Sequence, residues 1–197
     1  MSTNGPARRR RGAAAREEAL EAARDLLLSG GPAAVTLKAV GERMGVGHAN
    51  LIHHFGSAAG LQGALMDRMV RDLADWIEAG LGAGRDDVEP DRLMTAVFDA
   101  FGQGGASQMA AWLALAREQA RAESFAQVVR DLADRLAAMA PEDPRAAERA
   151  KALVVTAAYM AFAEGLIGDI LTPMLGAPDG LGRDLALKLT ATLLAEP

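Results

Sequence analysis

The sequence predicts an all-α fold of about nine helices, a small three-helix N-terminal unit followed by a larger helical C-terminal part. Three observations predict it. Apolar residues recur at helical spacing along almost the whole chain. No window shows the alternating β-branched run that a strand requires. Glycine and proline clusters cut the pattern into helix-length pieces.

Met1 to about Ala15 is polar, basic and interrupted by glycine and proline, and reads as an arm. The first helix runs from about Arg16 to Leu28, with Leu20, Ala23 and Leu27 on one face, and Gly30-Gly31-Pro32 stop it. Thr36 caps a short second helix whose buried face is Leu37, Val40 and Met44. Gly45-Val46-Gly47 makes a tight turn into a third helix, His48 to about His54, which Phe55-Gly56 ends. Ser57 caps a long fourth helix to about Gly80, striped by Leu65, Met69, Leu73, Trp76 and Ile77.

A Gly- and Asp-rich loop over 81–89 leads to Pro90, well placed to open a fifth helix carrying Leu93, Val97 and Phe101. Gly102 to Gly105 interrupt it, and a sixth helix over roughly 107–122 turns Met109, Trp112, Leu113 and Ala116 inward. Ser124 caps a seventh, with Phe125, Val128, Leu132, Leu136 and Met139 on one face. Asp143-Pro144 opens a long eighth to about Leu171, Pro173 and Pro178 break the chain, and a ninth runs from about Leu181 to Ala195. The eighth is apolar all round between Ala152 and Ala163, which predicts cover on several sides. It carries a small stripe, Val154, Ala158, Ala161, Gly165 and Gly168, and a bulky one, Val155, Tyr159, Phe162, Leu166 and Ile170.

Composition narrows the function. Half of the 197 residues are apolar, enough for a substantial core. There is no cysteine, which removes disulfides and thiolate metal sites and fits a reducing, cytoplasmic setting. The N-terminus has no signal-peptide core, and the apolar stretch Ala152–Ala163 ends at Glu164, short of a bilayer span, so no membrane partner is expected. The formal net charge is −5 but unevenly spread. Residues 1–56 hold eight Lys/Arg against five Asp/Glu, net +3, and the remainder thirteen against twenty-one, net −8. A basic end on an acidic body is the asymmetry expected where one end meets phosphates.

The informative segment is Thr36 to Leu61, TLKAVGERMGVGHANLIHHFGSAAGL. Two short helices joined by a turn at Gly45 make a helix-turn-helix. Val40 and Leu51 hold the helices together, Gly41 must be small where they cross, Gly45 supplies a positive-φ backbone, and Val46 plugs the turn into the core. The second helix then presents a small, polar N-terminal face, Gly47, His48, Ala49, Asn50 and His53, to a major groove. Asn50 suits an adenine edge, and the small residues admit thymine methyls. Adjacent helical side chains point about 100° apart, so His53-His54 does not converge on a metal, and none is expected.

At this point the sequence resembles the TetR family of bacterial regulators. The resemblance rests on Thr36, Val40-Gly41, Met44-Gly45-Val46, Leu51, His53-His54-Phe55, Ser57 and Leu61, within about residues 14–62. Four positions depart from it. The family usually has Tyr at Ile52, Lys-Glu at Ala58-Ala59, Ser at Gly47 and Ala at Gly41. The Tyr and Lys contact phosphates in the family, and one lost Lys contact flattens the salt slope by about 0.9 per monomer. Arg8, Arg9, Arg10 and Arg11 offer compensation, either in an adjacent minor groove or along phosphates, the alternative being a solvated tail that aids solubility.

The resemblance implies a homodimeric, ligand-responsive repressor on a palindromic operator. The organisation expected is a flexible basic arm over 1–14, a helix-turn-helix DNA-binding domain over 15–56, and a ligand-binding and dimerisation domain over 57–197 with its first helix, 57–80, as connector. Candidate DNA contacts are Arg8, Arg9, Arg10, Arg11, Thr36, Lys38, Gly47, His48, Ala49, Asn50, His53 and His54, the last at a family phosphate-contact position. In the family the last two helices pair with their copies, which assigns the interface to Val154, Ala158, Ala161, Gly165, Gly168, Leu185 and Leu189. An effector cavity among the middle helices would be lined by Phe98, Phe101, Met109, Trp112, Tyr159, Met160 and Phe162, with Gln103, Gln108, Gln119 and Thr156 as polar contacts. Such a lining favours an apolar or weakly polar effector. No cofactor is expected. Neither is catalysis: Gly102–Gly105 lacks the lysine of a phosphate loop, and all three histidines sit in the helix-turn-helix. The alternative is a helical dimeric interaction protein in which Ile52 and Ala58 mark weakened or lost DNA binding.

Overall fold

The computed structural model describes the backbone of residues 5–82, 90–116 and 122–195, and the side chains of 12–80, 91–116 and 126–193. Among them there is no strand. The helices are α1 (Gly5–Gly30), α2 (Leu37–Met44), α3 (His48–Phe55), α4 (Ala58–Gly82), α5 (Pro90–Phe101), α6 (Ala106–Leu115), α7 (Ala122–Ala138), α8 (Ala146–Ala163), α9 (Asp169–Met174) and α10 (Leu181–Ala195). A 3₁₀ turn, Pro32–Ala34, joins α1 to α2, and a π turn, Glu164–Gly168, joins α8 to α9.

Two apolar cores organise these elements. The first gathers Leu20, Ala23 and Leu27 of α1, Val35, Val40 of α2, Leu51 and Phe55 of α3, and Leu61, Leu65 and Met66 of α4. Met109 of α6 completes it, fully buried, so the N-terminal domain is roofed by a helix from the C-terminal part. The second core is Met94 and Phe98 of α5, Ala161 of α8 and Ala186 of α10, with Val97, Phe101, Ala157, Met160 and Leu187 packed against it.

Local chemistry sets the boundaries. Thr36 Oγ1 accepts the Ala39 amide at 3.1 Å and caps α2, and Ser57 Oγ accepts the Gly60 amide at 3.0 Å ahead of α4. Asp143 Oδ1 accepts the Arg145 amide at 2.8 Å, but α8 begins only at Ala146, with Arg145 at its N-cap position and no side-chain cap bond, so Asp143-Pro144 form a turn ahead of the helix instead of its cap and first turn.

Several boundaries differ from the sequence reading. The first helix begins at Gly5 instead of about Arg16, so the backbone of Arg8 to Arg11 is helical and not an irregular arm. Arginine and alanine are good helix formers, and the composition of 7–16 supports extension where charge and terminal position suggested otherwise. Pro173 does not stop the helix before it but lies inside α9. The α8 helix reaches α9 through a π turn whose cause lies in packing. A Cβ on Gly165 would stand 2.5 Å from Ser107 Oγ and 2.7 Å from the Phe101 carbonyl oxygen, so the backbone here sits directly on the α5–α6 junction.

Candidate nucleic-acid interface

The helix-turn-helix forms as its residues require. Gly45 ends α2 in the left-handed region, φ 68°, and the Val46 amide donates to the Gly41 carbonyl at 2.9 Å. Gly41 is buried at the crossing. A Cβ there would lie 2.8 Å from the Val46 carbonyl oxygen and 3.6 Å from both the His48 nitrogen and Leu51 Cδ1. This is a backbone-to-backbone approach that only glycine permits without a shift. Gly47 is different: its φ is −65° and nothing lies within 4 Å of its missing Cβ.

Burial splits α3 into two faces. Leu51 and Phe55 enter the first core. Gly47, His48, Ala49, Asn50 and His53 are exposed, and His54 is half-buried. Ile52 is 44% exposed on the same helix, an apolar side chain where the resembling family places a phosphate-binding Tyr. Lys38 is exposed and, among the described residues, makes only a long 3.8 Å pair with Glu42, while Thr36 is occupied in capping α2. The side chains of Arg8 to Arg11 lie outside the described residues.

Charges around the domain hold it in place. Arg43 Nη2 donates to Asp25 Oδ2 at 2.7 Å, tying α2 to α1. Arg68 of α4 reaches Glu17 at 3.0 Å and Glu21 at 3.4 Å, tying α4 to α1. These pairs are largely exposed, each worth about 0.2–1 kcal/mol, and act more on orientation than on stability.

In the C-terminal part the predicted site residues separate. Phe98, Phe101 and Met160 do meet in the second core. Met109 belongs to the other core, because α6 turns this face toward the N-terminal domain. Trp112 also points that way, its Nε1 donating to Gln62 Oε1 at 3.2 Å. Tyr159 is 73% exposed on the outside of α8, and Phe162 is half-buried. Among the polar candidates Gln103 and Gln108 are exposed, Thr156 is half-buried, and Gln119 lies outside the described residues. Sequence periodicity did not single out Ser107, whose hydroxyl is fully buried beside Phe101 and Gly165 with no hydrogen-bond partner among the described residues.

Part of the small stripe of α8 and the π turn packs within the chain. Ala161 and Gly168 are buried within the chain, Gly165 abuts Phe101 and Ser107, and Val154 and Ala158 are half-buried. At Gly165 the missing side chain serves the close approach of the π turn to the α5–α6 junction. The outward face is the bulky one: Val155, Tyr159, Leu166 and Ile170, alongside Leu185 and Leu189 of α10, are exposed. The continuous helical segment Ala146–Met174 is long and apolar enough to cross a bilayer, longer than the Ala152–Ala163 stretch evident from the sequence. The segment carries Glu164 and Asp169, and charged side chains are disfavoured in a bilayer core.

Comparison with known proteins agrees with this architecture. Residues 19–65 match the family model of bacterial regulatory proteins, tetR family. No curated protein matches the chain. Among solved structures, one from Mesorhizobium loti MAFF303099, described as a TetR-family transcriptional regulator, superposes with a TM-score of 0.64 at 13% identity, covering 94% of this chain and 96% of that one. A transcriptional regulator from Rhodococcus sp. Rha1 gives 0.56 at 22% identity, covering 90% and 96%. The similarity to the tetR family of bacterial regulatory proteins thus lies in residues 19–65, which hold the helix-turn-helix built on Val40, Gly41 and Leu51.

Proposed function

We propose that the protein is a ligand-responsive repressor that binds a palindromic operator as a homodimer. The observation that carries this is the division of α3. Leu51 and Phe55 anchor it, while Gly47, His48, Ala49, Asn50 and His53 stand clear of any protein contact that would bury them. A recognition helix needs that combination, a rigid seat and a free N-terminal face. Lys38, His54 and the Arg8–Arg11 helix turn supply the phosphate contacts in this reading.

Dimerisation is supported by the exposed apolar side chains of α8, the π turn, α9 and α10. Tyr159 at 73%, Ile170 at 63% and Leu189 at 50% exposure would be costly to leave in water together. A second copy offering the same face covers them by two-fold symmetry. It also sets two recognition helices at the spacing of successive major grooves, about 34–36 Å or a multiple.

An effector entering between α5, α6 and the π turn would meet Phe98, Phe101 and Met160 and supply a partner to the Ser107 hydroxyl. That favours a mainly apolar molecule with one hydrogen-bonding group. To empty a nearly full operator it must prefer the non-binding dimer by roughly 10⁴-fold.

The test is binding to DNA from upstream of the protein's own gene, against random duplex, at two salt concentrations. Preference for the upstream DNA supports the reading; equal affinity sinks it. A reporter gene behind that DNA distinguishes repression from activation, and a ligand-screening melt finds the effector. Ile52 on the exposed face favours a second reading, a dimeric helical interaction protein with weakened DNA binding, which equal affinity for both duplexes would support.

A further inference from the structure

Gln62 lies on α4 between Leu61 and Leu65 of the first core and is itself 7% exposed. Its carboxamide is spent on three partners from two other elements. Nε2 donates to the Val35 carbonyl at 3.0 Å and to the Pro32 carbonyl at 3.4 Å. Oε1 accepts from the Trp112 indole at 3.2 Å. The orientation of the amide is fixed by chemistry: flipping it would set its oxygen against two carbonyls and its NH₂ against an indole N–H.

The partners matter because of where they sit. Pro32–Ala34 is the turn that delivers the chain to α2, and Thr36, one residue past Val35, is the α2 cap. Trp112 belongs to α6, whose Met109, one turn earlier, is buried in the same core as Leu27, Val35 and Leu65. At its other end α6 starts at left-handed Gly105, against Leu27 and Leu28, and its Ser107 abuts Gly165 of the π turn. So α6 is wedged between the π turn and the entry to the helix-turn-helix, and Gln62 is the polar joint on the DNA-binding side.

We infer that Gln62 is a positioning residue coupling the placement of α6 to that of α2 and α3. The inference rests on the DNA-binding reading above. A displacement of α6 breaks the Trp112 bond or drags the Gln62 amide. The Val35 carbonyl then loses its donor or moves with it, and the seat of α2 changes. Coupling is reciprocal for binding free energies, so DNA held by α3 must alter the surroundings of Trp112. That permits a test without knowledge of the effector.

The chain has two tryptophans, so Trp76→Phe leaves Trp112 as the sole indole emitter. Trp76 is half-exposed on α4, outside this hydrogen-bonded set. The full-length variant is titrated with duplex from upstream of its own gene, with binding read independently by anisotropy of labelled DNA. The expected result is a saturable change in Trp112 emission tracking the anisotropy, lost in Trp76→Phe/Gln62→Leu although DNA still binds. On DNA affinity, Gln62→Leu and Trp112→Phe should each weaken binding several-fold, and the double variant no more than the worse single one. Binding with silent Trp112 emission, or fully additive losses, overturns the coupling.

A DNA-free arm separates failure of the coupling from failure of the DNA reading. Amide exchange over residues 35–40 should quicken at least tenfold in Trp112→Phe, which keeps the aromatic body, while α7 amides keep their rates. Unchanged exchange over 35–40 overturns the coupling whatever the DNA result.

Discussion

The Arg16 guanidinium carbon lies 5.4 Å from the centroid of the Phe55 ring. Arg16 belongs to α1 and Phe55 is the last residue of α3, so a cation–π contact pins the far end of the recognition helix to the first helix. The near end is held differently, by the Val46–Gly41 backbone bond and Leu51. Arg16→Gln keeps a polar side chain and removes the cation. It should lower unfolding stability by about 0.5–1 kcal/mol. Urea melts followed by circular dichroism read this directly, and an unchanged midpoint would show the contact to be idle.

Gly41 sets two effects against each other. Alanine in place of a helical glycine gains about 1 kcal/mol of propensity. The same methyl would stand 2.8 Å from the Val46 carbonyl oxygen, a backbone atom that cannot move without opening the turn. Overpacking of this kind costs about 1–3 kcal/mol. Gly41→Ala is therefore expected to be destabilising on balance, by up to about 2 kcal/mol. A variant more stable than the parent in a denaturant titration would show that α2 and α3 can slide apart at no cost.

Gly47 gives the opposite sign. Its φ of −65° suits any residue and no atom lies within 4 Å of a Cβ there. A serine would place its hydroxyl to accept an amide in the first turn of α3. Gly47→Ser should raise stability by a few tenths of a kcal/mol, about the margin between these two caps. The melt should move up slightly; a fall would mean the recognition helix starts elsewhere.

These residues show how much the sequence revealed. The turn glycines, the Thr36 and Ser57 caps and the split of α3 follow from local rules, because each is decided within a few residues. The last helix, Leu181–Ala195, was legible for the same reason. What was not legible is which side of a helix apolar all round meets its own chain. Helical spacing set out a small and a bulky stripe along α8 and left their direction open. It is fixed by Gly165 meeting Phe101 and Ser107, a contact between segments some sixty residues apart. The same long-range packing sends Met109 and Trp112 toward the N-terminal domain and scatters the expected cavity lining.

Asn50 is the exposed side chain of α3 best suited to read a base edge. Removing it leaves the helix seat intact, because Leu51 and Phe55 do that work. Asn50→Ala should weaken operator binding by about 1–3 kcal/mol and relax preference at one base pair per half-site. Affinities measured on operator variants decide it; an equal loss on every sequence would assign Asn50 to the backbone instead.

The outward apolar face makes the last prediction, and the inward stripe is its control. Ile170 is 63% exposed, so a charge there costs the isolated protomer little, while across a two-fold interface it would be buried without a partner. Ile170→Asp should weaken self-association by at least about tenfold, in the range of central interface substitutions, and leave the helical signal unchanged. Ala161 is fully buried within the protomer. Ala161→Leu should instead lower the unfolding midpoint by overpacking the α5–α8–α10 core, by about 1–3 kcal/mol, before any effect on association. Sedimentation at low concentration beside a thermal melt separates the two. Ile170→Asp sedimenting like the parent would remove this face from the interface.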